Sequence, residues 1–334
     1  MNTNEKTTRR HNTGVQQSGG TNPLPVSLLT LNPAVDVTYT VPRLIADQKA
    51  HALATRFDPG GNGINVGRAL QRLQVSADSY IVTAGETGHM LERLLVHHLD
   101  ATHYERVAGE TRINGTIMEQ ESGSQYEVSG IGPSIPSSQL STLLNSFVTQ
   151  AGKGIGVLTG SMPADISTEL YAELVQRIQD AGGLAVVDSH HESLRHAILT
   201  GPFLIKPNRH ELETLVGHEL PTVELVAEQA RLIARQCVRH VCVSLGGEGA
   251  LLTGPEDTLY ATAPKVKVLS TVGAGDSMVA GLIAGFVRKL PLPDILRLAV
   301  ACGAGTVQQP GTELFMADMV ATLAPTIEIR KLGI

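Results

Sequence analysis

The most chemically loaded stretch of this sequence is Ser270-Thr271-Val272-Gly273-Ala274-Gly275-Asp276-Ser277, which runs directly into small and apolar residues, Met278 to Gly285, suited to a buried helix. Glycines at a helix start let backbone N–H groups converge on an anion, and the helix dipole adds to the attraction. Phosphate is the natural guest. A carboxylate in that first turn would compete with the anion unless it had separate work. Taking the proton from a hydroxyl that attacks a terminal phosphate is such work, because phosphoryl transfer needs one polarised nucleophile and stabilised charge around it. The same residues also suit a plain helix cap by Asp276 or Ser277.

A second glycine-rich stretch, Asp58-Pro59-Gly60-Gly61-Asn62-Gly63-Ile64-Asn65-Val66-Gly67-Arg68, superficially imitates a dinucleotide fingerprint. Its glycine spacing is wrong and it does not follow the first buried strand directly, so a dehydrogenase is disfavoured. Its adjacent glycines permit close approach to a ligand, and the amides of Asn62 and Asn65 suit sugar hydroxyls. A tight turn entering a helix accounts for it equally well. Asn208 and Glu211 are spaced to reach a magnesium ion through water. They are also spaced as a capping box. Ser244-Leu245-Gly246-Gly247-Glu248-Gly249 can approach a nucleotide or turn a hairpin. His190-His191 reads as a solvated helix start.

The elements that must position these groups follow from periodicity. Val26 to Leu31, Ile155 to Thr159, Leu184 to Asp188, Phe203 to Lys206 and Val241 to Ser244 are short apolar runs, alternating with helical stretches such as Glu169 to Ala181, His191 to Leu199 and Val223 to Gln236. Buried strands alternating with helices predict an α/β fold, a parallel sheet covered on both faces. Ligands collect at the carboxyl ends of such strands, where Asp36, Ser161, Asp188 and Lys206 fall. Val35 to Val41 and Gly115 to Gln120 alternate polar and apolar residues instead, which predicts a small half-wet sheet beside the main body, placed as a lid.

The 334-residue chain has 42% hydrophobic and 17% charged residues, an ordinary globular composition, and 34 glycines. A net charge of -6, with no Lys/Arg block beyond the first residues to build a concentrated basic surface, disfavours nucleic acid. No apolar run is long enough to span a bilayer, so no membrane partner is expected. Cys237, Cys242 and Cys302 lie in apolar stretches without zinc-ligand spacing and read as thiols of a reducing, cytoplasmic compartment. Residues 1–25 are polar and without a signal-peptide core, and read as a disordered extension.

Several motifs in fixed order carry a family resemblance: Leu31-Asn32-Pro33-Ala34-Val35-Asp36, Pro59 to Val66, Ile205-Lys206-Pro207-Asn208 with Glu211, Val243-Ser244-Leu245-Gly246, and Thr271 to Ser277. From about Val26 to Gln309 the chain resembles the ribokinase-like PfkB carbohydrate kinases, and among them the minor-type ATP-dependent 6-phosphofructokinases. The resemblance implies a three-layer αβα sandwich over residues 26–334, with a β-sheet lid from segments near 35–58 and 112–130 that pairs with the lid of a second subunit in a homodimer. It implies that Gly273, Ala274 and Gly275 form the anion hole and that Asp276 is the base. It assigns Asp36, Gly61, Asn65 and Ser161 to the sugar, and Lys49 and Arg112 to its phosphate. It assigns Lys206, Asn208, Ser244, Gly246, Gly249 and Thr271 to ATP, with Asn208 and Glu211 shaping the Mg²⁺ environment.

The activity so implied is phosphorylation of the 1-hydroxyl of fructose 6-phosphate to fructose 1,6-bisphosphate. The alternatives are a fructose-1-phosphate or tagatose-6-phosphate kinase and, in another class, a non-catalytic sugar-phosphate sensor. Kinases for the first two alternatives tend to carry Lys between the glycines where this chain has Asn62, which tilts the expectation to fructose 6-phosphate. His51 stands where the phosphofructokinases have Arg, and a neutral histidine weakens phosphate binding.

Overall fold

The computed structural model describes residues 24–333, so the expected disordered extension lies almost wholly outside the described residues. Every residue of β1 (Val26–Thr30) is buried, as a strand covered on both faces requires. Asn32-Pro33 ends it. The chain then makes β2 (Ala34–Val41) and β3 (Ala54–Gly60) and returns through α1 (Asn62–Arg72) to β4 (Ala77–Ala84). After α2 (Gly85–Leu95) and β5 (Ala101–Val107), a second excursion makes β6 (Arg112–Glu119) and β7 (Gln125–Val128). Regular alternation follows: α3 (Ser137–Ala151), β8 (Ile155–Thr159), α4 (Leu170–Asp180), β9 (Leu184–Asp188), α5 (His191–Leu199) and β10 (Leu204–Ile205). Two helices, α6 (Arg209–Val216) and α7 (Val223–Gln236), lead to β11 (His240–Ser244). The hairpin β12 (Ala250–Thr253) and β13 (Thr258–Ala261) precedes α8 (Ala274–Val287), α9 (Leu292–Thr306), α10 (Ala317–Leu323) and β14 (Ile329–Leu332).

Ten strands form the main sheet in the order β14-β13-β12-β11-β10-β9-β8-β1-β4-β5. Neighbours from β11 to β5 are parallel, and β12, β13 and β14 form an antiparallel edge. The alternation of side chains along each strand divides the core. Leu29, Val187 and Val241 face α3, α4 and α7 through Phe147, Tyr171 and Ala230, while Leu28, Val186 and Cys242 face α1, α8 and α9 through Val66, Leu282 and Ala299. The α/β expectation therefore holds, with helices on both sides of a mainly parallel sheet.

The two excursions build a separate four-stranded sheet, β3-β2-β6-β7. Its period of two sorts the side chains by chemistry. The register Ala34↔Arg112 and Asp36↔Asn114 puts Asp36, Arg112 and Asn114 on one face. Val35, Val37, Tyr39, Phe57, Ile117, Tyr126 and Val128 share the other. Val35 and Val37 are covered by Leu91 and Leu95 of α2, and the outer part of that apolar face is left open.

Candidate active site

Asp276 lies in the first turn of α8, only 5% exposed, and both its oxygens accept amide hydrogen bonds from α1. Asn62 Nδ2 donates to Oδ1 and Asn65 Nδ2 to Oδ2, each at 2.9 Å. The turn that delivers Asp276 depends on Gly273, whose φ of 75° suits glycine. Ala274 N–H bonds to the Thr271 carbonyl and Ser277 N–H to that of Gly273, whereas among the described residues the N–H groups of Gly273, Gly275 and Asp276 have no acceptor. The helix thus presents unpaired donors beside its own carboxylate, the combination an anion hole next to a base requires. The capping alternative is set aside for Asp276, since its side-chain oxygens bond to α1. Ser277 is turned inward, its hydroxyl 2.7 Å from that of Thr306.

Burial, and next the charge of Asp188, push the Asp276 carboxyl up to about 6, against the lowering influence of Asn65, Asn62 and Lys206. Lys206 is 5% exposed and pairs with Asp188 at 3.2 Å. Burial opposes its charge, but Asp188 and Glu211 outweigh burial and hold the ammonium above the usual lysine range. A Cβ on Gly275 would stand 3.4 Å from Lys206 Nζ, so the cation flanks the anion hole directly.

Among the residues expected to hold the sugar, Asp36 accepts from Asn114 at 2.8 Å, and burial pushes its carboxyl above the ordinary range, against that bond and the nearby Arg112 charge. Arg112 reaches the Pro33 carbonyl at 3.4 Å and Ser161 Oγ at 3.5 Å, and Asn32 also donates to Ser161 Oγ, at 3.2 Å. Gly60 lies so close under Asp36 that a Cβ there would be 2.4 Å from the carboxylate. Gly61, with φ of 120°, caps α1 and brings Asn62 and Asn65 to Asp276. Asp36, Gly61, Asn65, Arg112 and Ser161 are therefore tied to the base by a short chain of contacts. Lys49 is not. It lies exposed in the β2–β3 connection with no hydrogen bond or ion pair among the described residues, as does His51.

Among the residues expected to meet the nucleotide, Asn208 and Ser244 form a bridge between the ends of β10 and β11. Gly246 has φ of 58° and Gly249 φ of 116°, and a Cβ on Gly249 would collide with the Ala261 carbonyl at 1.9 Å. Thr271 is exposed immediately before the anion hole. Asn208 and Glu211 form the capping box of α6, each side chain accepting a backbone N–H at 2.8 Å. The cap uses Asn208 Oδ1 and Glu211 Oε2 and leaves Glu211 Oε1 without a donor. That donor set fits a water-mediated hold on Mg²⁺, which keeps several waters of its own; no denser cluster of His, Cys, Asp and Glu exists among the described residues.

Sequence reasoning missed several contributors. Asn114 is two residues from Arg112 on one strand, so strand alternation carried a signal for it. Asp188 was visible as a polar strand end, without its pairing to Lys206. The Asn62 amide, which suits a sugar hydroxyl or a tight turn equally, donates to Asp276. Arg68, which contacts Asn65 at 3.3 Å, had no signal at all.

The profile of the pfkB family carbohydrate kinases matches residues 29–318. A 1-phosphofructokinase of Bacillus subtilis is 34% identical over 91% of this chain and 99% of its own length, and one of Rhodobacter capsulatus is 32% identical over 92% and 98%. The ATP-dependent 6-phosphofructokinase isozyme 2 of Escherichia coli is 33% identical over 87% of this chain and 94% of its own. Among solved structures, phosphofructokinase-2 from Escherichia coli in complex with fructose-6-phosphate superposes with a TM-score of 0.85 at 30% identity, covering 91% of this chain and 99% of that one. A ribokinase of Arabidopsis thaliana, 19% identical over 90% and 99%, shares the fold with a TM-score of 0.73. The chain belongs to the pfkB family of carbohydrate kinases, phosphotransferases that act on a hydroxyl acceptor.

Proposed function

We propose that this sugar-phosphate kinase transfers the γ-phosphoryl group of MgATP to the free primary hydroxyl of a fructose monophosphate, with Asp276 taking the proton. The observation that carries this reading is the buried Asp276 carboxylate beside the unpaired N–H groups of Gly273 and Gly275. The hydroxyl is held at Asp276, loses its proton as the bond to phosphorus forms, and the charge on the migrating group is met by those N–H groups with Lys206 at their side. Ala274 completes the turn. Lys206, Asn208, Ser244, Gly246, Gly249 and Thr271 line the nucleotide side, and bound magnesium would supply charge neutralisation between the phosphates near Asn208 and Glu211. Asp36, Gly61, Asn65 and Ser161 hold the sugar, and Arg112 meets its phosphate. Lys49 joins Arg112 only if the β2–β3 connection folds inward.

Fructose 1-phosphate is the better supported acceptor, because relatives at 34% and 32% identity across nearly the full chain are named 1-phosphofructokinases. This reverses the tilt drawn from Asn62. Fructose 6-phosphate stays as the second reading, favoured by the 33% identical isozyme 2. Fructofuranose carries its two CH₂O arms on either side of the ring, so the two monophosphates present alternative arms and give the same 1,6-bisphosphate. A coupled assay of ADP release with fructose 1-phosphate, fructose 6-phosphate and tagatose 6-phosphate decides. The expected result is the highest kcat/KM with fructose 1-phosphate. A preference for fructose 6-phosphate reverses the assignment, and no ADP release with any of the three removes it.

The kinase domain is taken to start at residue 26, with the small sheet as its lid and as the contact of a homodimer. Three free cysteines suit a reducing cytoplasm. Among the described residues no helix is long and apolar enough to cross a membrane.

A further inference from the structure

An asparagine side chain can present either its NH₂ or its oxygen to a given neighbour, and only one orientation supports a carboxylate base. Asn65 Oδ1 accepts from Arg68 Nη1 at 3.3 Å, one helical turn on along α1, which leaves Asn65 Nδ2 to donate to Asp276 Oδ2. Arg68 is 3% exposed, and of its guanidinium only Nη1 makes hydrogen bonds, while Nε has no partner among the described residues. Nη1 also reaches the Thr312 carbonyl at 3.4 Å, and Nη2 lies 3.9 Å from Glu313 Oε2. Glu313 additionally binds Arg72 at 3.2 Å and Arg56 at 2.6 Å, and Arg56 holds Asp58 at 2.8 Å. A single carboxylate on the loop after α9 therefore ties together α1 and the lid strand β3. The amide on the other oxygen differs: Asn62 is exposed and bonds only to Asp276 among the described residues.

We propose that Arg68, held by the Thr312 carbonyl and the nearby charge of Glu313, is a positioning residue that fixes the Asn65 amide on Asp276 Oδ2, leaving Oδ1 as the oxygen that takes the substrate proton when Asn62 yields. The proposal rests on the reading of Asp276 as the base. The charged groups facing Asp276 are Asp188 at the end of β9 and Lys206 after β10; α9 contributes only the Thr306 hydroxyl, on Ser277. Arg68 is faced by Glu313, Arg72, Asp58 and Arg56. Loosening Asn65 withdraws a hydrogen bond that favours the carboxylate, so the base becomes harder to deprotonate and the acid limb of the rate moves to higher pH.

The test is the pH dependence of kcat and KM for Arg68→Met, Arg68→Lys and Glu313→Gln beside Asp276→Asn. Arg68→Met is expected to lower kcat on the order of tenfold, the low end of what removing an orienting partner costs, and to move the acid limb upward while the KM for ATP stays. Arg68→Lys keeps a donor for Asn65 and is expected to recover most of both effects. Glu313 is about one-third exposed, so Glu313→Gln tests the nearby charge without opening the core and is expected to shift the limb the same way by less. Unmoved acid limbs in both Arg68→Met and Glu313→Gln, or a loss of kcat that Arg68→Lys does not restore, overturn the proposal. Asp276→Asn separates the two readings. Full turnover in that variant removes the base itself, whereas its inactivity together with unmoved Arg68 and Glu313 variants removes only the role given to Arg68.

Discussion

At the scale of single residues, the site turns on how one carboxylate is kept both charged and reactive. Burial and Asp188 raise the Asp276 carboxyl, while Asn65, Asn62 and Lys206 pull it back, and the balance of about 6 is near the optimum for a base working near neutral pH. At pH 7 the carboxylate form dominates. As the pH falls through about 6 the proposed base takes up a proton, so kcat/KM, which reports the free enzyme, is expected to drop about tenfold per further pH unit. Asp276→Asn is expected to lower kcat by ~10²–10⁴. Calorimetric binding of the sugar phosphate should persist in that variant, because Asp36, Arg112 and Ser161 are untouched. An acid limb unchanged in position, seen as residual activity of Asp276→Asn, would assign the limb to another group.

At the scale of elements, α6 shows two readings of one pattern to be compatible. Asn208 and Glu211 make the capping box that the spacing allowed, and Glu211 Oε1 remains for a hydrated cation. Glu211→Gln keeps an oxygen for the Asn208 N–H but loses the charge. The melting temperature of that variant is therefore expected to stay close to the parent's, while the Mg²⁺ concentration for half-maximal rate rises several-fold. Glu211→Ala is expected to lose about 1 kcal/mol of stability with the cap. A Mg²⁺ requirement unchanged in both variants would confine Glu211 to capping. Elements of this kind were legible in the sequence because local rules write them. Ile155–Thr159, Leu184–Asp188 and Val223–Gln236 have the bounds that periodicity predicts, and Lys206 stands just past β10, at the polar end of an apolar run. The hold of Thr312 and Glu313 on Arg68 and Arg72 was not legible, because it joins residues some 240 positions apart through a loop with no periodicity of its own. Lys49 shows a related limit: the motif assigns it to the site, and in this structure it lies exposed on the open β2–β3 connection.

At the scale of the whole molecule, the small sheet has two faces with different obligations. Asp36, Arg112 and Asn114 share the face proposed to meet the sugar, and the sheet carries Tyr39, Phe57, Tyr126 and Val128 on the other, with Val128 69% exposed. Contiguous exposed apolar area of this kind marks a surface that is covered in use. The proposed cover is the same face of a second copy, since a two-fold pairing needs only one self-complementary patch. Introducing charge there, as Tyr126→Lys with Val128→Asp, is expected to convert a sedimenting dimer into monomer. It should also raise the KM for the sugar phosphate several-fold while the KM for ATP moves little, because the strands that lose their partner hold Arg112 and Asp36 and none of the residues proposed for the nucleotide. A parent chain that sediments as a monomer at assay concentrations, or a double variant that remains dimeric with an unchanged sugar-phosphate KM, would show that this face does not join two copies.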